Sequence, residues 1–201
     1  MATGKNVIVL FADVSEDVLL KSEAEQLAKM RRKGSVVRIA AAGDVKVEAL
    51  AGAPAGQSMV DAAREGGYVV EPIALASELS IVEGIADEAA LLAEIDKAFA
   101  LATTKMLLVV VTSTCAMFYG LGIERGVFIE EPVPAACIAP TLAWIGDLPL
   151  PEKVQAAPLY RIIKGLNYKA KEIAKLRDSI AALELKIERD NRKPWDKHDC
   201  A

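Results

Sequence analysis

Apolar positions along this chain follow two rhythms, and the rhythms divide it into a body and a terminal helix. The first rhythm is a short continuous run. Asn6-Val7-Ile8-Val9-Leu10-Phe11 and Met106-Leu107-Leu108-Val109-Val110-Val111 are apolar at nearly every position, as strands covered on both faces are. Val36-Val37-Arg38-Ile39 and Tyr68-Val69-Val70 predict a second and a third strand, the latter cut short by Pro72. A further strand is predicted over residues 126–129.

Between these runs the spacing is helical. Val18, Leu19, Leu27 and Met30 share one face of a helix that starts near Asp13 and Ser15 and stops at Gly34. Lys29, Arg31, Arg32 and Lys33 sit at its end, where cations complement the helix dipole. Leu91, Leu92, Ile95 and Phe99 define a second helix over about residues 87–102. Shorter helices are predicted near residues 58–65, 141–145 and 155–164. The Gly/Ala/Pro-rich stretch 43–56 reads as a connection. This alternation predicts an α/β body with a three-layer, doubly wound, mostly parallel sheet.

The second rhythm is a heptad. Leu166, Ile173, Ile180 and Ile187 recur every seven residues, and Leu176 and Leu183 follow two of them by three. That is a coiled-coil seam with Ile at a and Leu at d. The helix ends before Pro194 and is ~39 Å long at 1.5 Å per residue, so the body is not expected to cover its whole seam. An isolated amphipathic helix is marginal in water. The seam therefore needs a cover, which is the chain's own body, another copy of the chain or a different protein in a larger complex, and the expectation favours one of the last two. The expected division is a body over 1–165, the helix over 166–193 and a tail over 194–201. In that tail, Trp195 reads as a docking anchor.

Composition narrows the partners. Of 201 residues, 53% are hydrophobic and 26% charged, enough apolar content for a sizeable core. The formal net charge is −4, which suggests no nucleic-acid partner. No apolar run approaches the ~20 residues of a membrane span, and no signal-peptide pattern opens the chain. A cytoplasmic location is expected. Three cysteines, Cys115, Cys137 and Cys200, are too few for a disulfide framework.

Candidate chemistry is sparse. Asp13, Ser113 and Cys115 follow the first and fourth strands, and open α/β sheets bind ligands at the carboxyl ends of their strands. A thiol at Cys115 becomes a nucleophile or sulfur carrier only if its pKa is lowered. The N-terminal half resembles small sulfur-relay proteins of the DsrE type in general outline, with no specific motif. Gly52, Gly56 and Ser58 precede a predicted helix, where backbone N–H groups can hold a phosphate or nucleotide. No Walker or dinucleotide motif accompanies them. The single histidine, His198, lies in the tail.

The stretch over residues 107–160 resembles the alkaline phosphatase superfamily, especially its type I phosphodiesterase and nucleotide pyrophosphatase branch. The matching phrases are Leu108-Val109-Val110-Val111-Thr112-Ser113, Arg125-Gly126-Val127-Phe128-Ile129 and, most specific, Ile138-Ala139-Pro140-Thr141-Leu142-Ala143-Trp144-Ile145-Gly146-Asp147-Leu148-Pro149-Leu150-Pro151. The resemblance implies an alkaline-phosphatase-like core, with Asp13 ending the strand that bears the family's first metal ligand. It also implies two catalytic metals, but the residues depart from that pattern. Where the family has Ser/Thr-Asp-His-Gly, Ser113 is followed by Thr114, Cys115 and Ala116. Cys137 stands where an aspartate is usual. Two-metal hydrolysis needs those carboxylate and imidazole ligands, so no metal and no cofactor are expected. The expectation is a shortened, non-catalytic relative acting in assembly. A Cys115-dependent enzyme or carrier and a phosphate-binding module stand as alternatives.

Overall fold

The computed structural model describes residues 4–191, and residues up to 164 form a compact unit separate from those that follow. The first unit is built on a six-stranded mixed sheet. Its strands are β1 (Asn6–Ala12), β2 (Ser35–Ala40), β3 (Leu79–Ile85), β4 (Met106–Val111), β5 (Cys115–Gly120) and β6 (Val127–Pro134), in the spatial order β3-β1-β4-β5-β2-β6. β1 pairs in parallel with β3 and β4, and β2 in parallel with β6. β5 runs antiparallel between β4 and β2.

The continuous apolar runs take the centre of this sheet because both of its faces are covered. On one face, Ile8, Leu10, Leu108, Val110 and Met117 pack with Leu19 and Leu27, and with Leu91 and Ile95. Those residues come from α1 (Glu16–Lys21), α2 (Glu25–Lys33) and α5 (Glu88–Ala100). On the other face lie α3 (Val45–Ala51) and α6 (Ile138–Gly146), with α4 (Met59–Glu65) beside α3. A Cβ on Gly146 would come within 2.5 Å of the Val7 Cγ2 methyl, so α6 rests directly on β1.

Several elements differ from the sequence expectation, each for a local reason. The long first helix is two, α1 and α2, broken at residues 22–24. There the Ser22 hydroxyl accepts from the Ala24 N–H, and the Arg31 guanidinium donates to the Leu19 and Ser22 carbonyls. Side chains thus satisfy backbone groups that a continuous helix would have paired. The connection over 43–56 contains α3, capped by the Asp44 carboxylate, which accepts from the Lys46 and Val47 N–H groups. Tyr68-Val69-Val70 is not a full strand and makes one isolated bridge, Val70 to Leu79. The strand is β3 instead. The buried Asn6 amide donates to the Ala74, Leu75 and Ser77 carbonyls, pinning the turn that delivers Leu79 beside Val7.

β5 was not expected at all. Thr112 N–H donates to the Cys115 carbonyl at 2.8 Å, and the Thr112 hydroxyl bonds both the Cys115 N–H and its carbonyl. That closes a tight turn and sends the chain back along β4. The helix expected near 155–164 is irregular apart from a 3-10 turn at Tyr160–Ile162, consistent with the helix-breaking Pro158.

The second unit holds α7 (Leu166–Asn191). Its seam residues Ile173, Leu176, Ile180, Leu183 and Ile187 are 52%, 63%, 55%, 56% and 60% exposed. At 100° per residue these five fall within a stripe ~80° wide. Trp195, His198, Cys200 and the rest of the tail lie outside the described residues.

Candidate functional site

The parallel strands β1, β3 and β4 end side by side, and a cleft of about 290 Å³ opens outside their carboxyl ends. Asp13 comes from the end of β1, Thr112 and Ser113 from the end of β4, Glu83 and Gly84 from β3, and Asp44 and Lys46 from the start of α3. The sheet therefore brings together Asp13 and Ser113, two of the residues singled out in the sequence. Glu83 and Lys46, which were not singled out, join them and form an ion pair. Lys46 lies two residues after Asp44, the cap of α3, in a Gly/Ala/Pro-rich stretch whose composition predicts a connection rather than a helix.

The chemistry available in this cleft is limited by engagements already made. Asp44 is used by the α3 N-terminus. The Thr112 hydroxyl is used by the β4–β5 turn. Glu83 is neutralised by Lys46. The neighbouring Glu48, 4% exposed, accepts from the Gly43 N–H and holds the loop before α3. Asp13 and Ser113 remain exposed. Among the described residues, neither has an imidazole or a thiolate beside it, and no group of three or more His, Cys, Asp or Glu side chains is able to hold a metal.

Cys115 does not reach the cleft. It opens β5 with no exposure and belongs to the core packed under α1, α2 and α5. Burial pushes its thiol up to about 12, the Glu16 carboxylate adds to the rise, and Arg38 opposes it. A thiol so placed stays protonated at neutral pH and acts as a small apolar core group. Cys137 is half-buried and its thiol is likewise raised by burial.

The glycine loop is occupied by its own chain. Gly52 caps α3 in the left-handed region at φ 67°, and its N–H donates to the Glu48 carbonyl. Its own carbonyl accepts from the Gln155 N–H. The Gln57 side chain accepts from the Glu152 N–H. A Cβ on Gly52 would sit 3.0–3.1 Å from the Val154 methyls, so glycine is needed here for close packing as well as for φ. The Ser58 hydroxyl caps α4 by accepting from the Val60 N–H. Gly52, Gly56 and Ser58 thus stand apart from the residues that line the cleft.

No family model matches this chain, and comparison with curated proteins finds no match. No helix among the described residues is long and apolar enough to cross a membrane.

Proposed function

We propose that this chain is a non-catalytic assembly subunit, whose α/β body is joined to a second copy through a coiled coil formed by α7. The exposed seam carries the reading: five Ile and Leu side chains on one ~80° stripe, each more than half exposed. Isolated surface apolar residues are ordinary, but a continuous stripe of this kind marks an interaction surface. Ile at a with Leu at d favours two strands over three or four. In the body, the polar groups at the carboxyl ends of the strands are largely committed to capping, turn closure and one ion pair. The reading needs only the scaffold. It is compatible with a shortened relative of the alkaline phosphatase superfamily that lacks the family's metal ligands.

The test is the solution mass of the full chain by light scattering, beside an Ile180→Asp, Leu183→Asp double variant. The expected result is a dimer for the natural chain and a single folded chain for the variant. A natural chain that stays a single chain at high micromolar concentration overturns the pairing of copies. Phosphatase or phosphodiesterase turnover stimulated by Zn²⁺ or Mn²⁺ overturns the non-catalytic reading.

A further inference from the structure

The two edges of the sheet differ. The β6 edge carries Glu130, Glu131, Pro132 and Pro134, charges and prolines that discourage pairing with another strand. The β3 edge, Leu79-Ser80-Ile81-Val82-Glu83-Gly84-Ile85, has no proline and no lysine. Its pairing with β1 shows which of its groups face outward. The Val7 N–H donates to the Glu78 carbonyl, and Val7 lies opposite Leu79 and Val9 opposite Ile81. Bonding in a parallel ladder alternates along the strand. The Glu78 carbonyl and the backbone groups of Ser80 and Val82 therefore face β1, while the backbone groups of Leu79 and Ile81 and the Glu83 N–H turn away, and the Glu78 N–H joins the Leu79 N–H on the Val69 carbonyl.

Leu79 has its outward partners within the chain. Its N–H donates to the Val69 carbonyl and its carbonyl accepts from the Glu71 N–H. Residues 69–71 are thus a fragment of a parallel strand already laid on this edge. Pro72 then turns the chain away. Beyond that point the outward N–H and C=O of Ile81 and the N–H of Glu83 have no backbone partner among the described residues. Beside them lies a groove of about 590 Å³, walled by Val60 and Arg64 of α4 and by Glu94 and Lys97 of α5.

We infer that this groove is a strand-addition site for an extended peptide of a partner protein, which continues the parallel pairing begun by residues 69–71. Main-chain bonds to Ile81 and Glu83 supply affinity, and alternate side chains supply specificity. Ile81 shares the face of Val9, the side on which α3, α4 and α6 lie, so the peptide side chain beside Ile81 meets Val60 and Arg64. The next side chain meets Val82 and the α5 wall. Lys97 is paired with Glu94 and Lys46 with Glu83. Of the two other charged residues that line the groove, Glu71 follows Val70 and so takes the opposite face of the edge, whereas Arg64 stands on α4 with no ion-pair partner among the described residues. The face toward α4 therefore fits an apolar side chain followed by a carboxylate. The site shares no residue with the α7 seam, and the inference stands whether or not α7 pairs two copies.

A random seven-residue peptide library selected on the full chain tests this. The expected outcome is enrichment of β-branched sequences carrying an acidic residue. The best of them, synthesised, slows hydrogen exchange at the Ile81 and Glu83 amides. Its Kd rises at least tenfold with Arg64→Glu, an exposed substitution on α4. It rises as much with Ile81→Pro, which removes an outward N–H and leaves the bonds to β1 in place. The inference is overturned by a selection that enriches nothing, or by a best peptide that leaves both amide exchange rates unchanged. Protection of those amides that grows with protein concentration alone, without peptide, assigns the edge to a second copy and equally overturns it.

Discussion

Leucine and isoleucine meet opposite fates in the two units of this molecule. In β4, Leu107 and Leu108 have no exposure, while in α7 Leu176 and Ile180 are 63% and 55% exposed. The local signal is equally strong in both places, a continuous run in one and a heptad in the other. Periodicity thus specifies which element forms and which of its faces is apolar. It does not specify where the covering surface comes from. For β4 the cover is supplied by helices on both faces of the sheet. For α7 we propose that a second copy supplies it.

The sharpest way to break this comparison is to truncate a leucine in each place. Leu108→Ala is expected to cost ~3 kcal/mol, because the atoms leave a cavity among neighbours that relax only partly. Urea unfolding of the body measures it. A cost under 1 kcal/mol means that the β4 centre is less tightly packed than its burial indicates.

The next effect concerns pH. The folded chain holds the Cys115 proton up to about 12, whereas an ordinary thiol releases it near 9.0. Below pH 9 both states keep the proton and the group contributes nothing to the pH dependence. Above it the unfolded chain binds fewer protons, so stability falls as pH rises, by ~1 kcal/mol per pH unit over that window. Cys115→Ala is expected to remove this slope in urea titrations at pH 9 and 10. An unchanged slope sinks the assignment to Cys115.

Asp44→Ala removes the cap of α3 and is expected to cost about 1 kcal/mol. It also removes a carboxylate from the lining of the cleft at the strand ends. Leu176→Ala sets the lower end of the scale. In a sample dilute enough to be monomeric it is expected to change stability by no more than ~0.5 kcal/mol, as exposed positions do. At high concentration the same change is expected to weaken self-association, read as a rise in the dimer Kd. A dilute-sample cost as large as that of Leu108→Ala shows the seam already covered within one chain.

How much of the fold was legible follows from where the bonding is local. β1, β4, α5 and α7 carry their pattern in consecutive residues, so the sequence expectation and the structure agree on them to within a few residues. β3 and β5 do not. β5 exists because the Thr112 hydroxyl closes a turn on Cys115, and nothing in Thr112-Ser113-Thr114 announces that return. β3 sits where it does because the Asn6 amide holds three carbonyls about seventy residues away. The candidate site shows the same division. Asp13 and Ser113 were visible as residues following strands. The Lys46–Glu83 pair was not, because it joins a helix missed in a glycine-rich stretch to a strand that the preceding valines had masked.

The sequence by itself determined the α/β class, the central strands and the amphipathic terminal helix. Those features depend on the spacing of apolar side chains over a few neighbouring residues. Only the tertiary structure decided that Cys115 is a neutral core group, that the glycine loop is filled by its own chain, and that the β3 edge is left unpaired beyond Leu79 while β6 is guarded. Each of these depends on which distant segment lies alongside. Burial raises a thiol and a second segment fills a loop only once the chain has closed on itself, and a one-dimensional pattern carries no record of that contact.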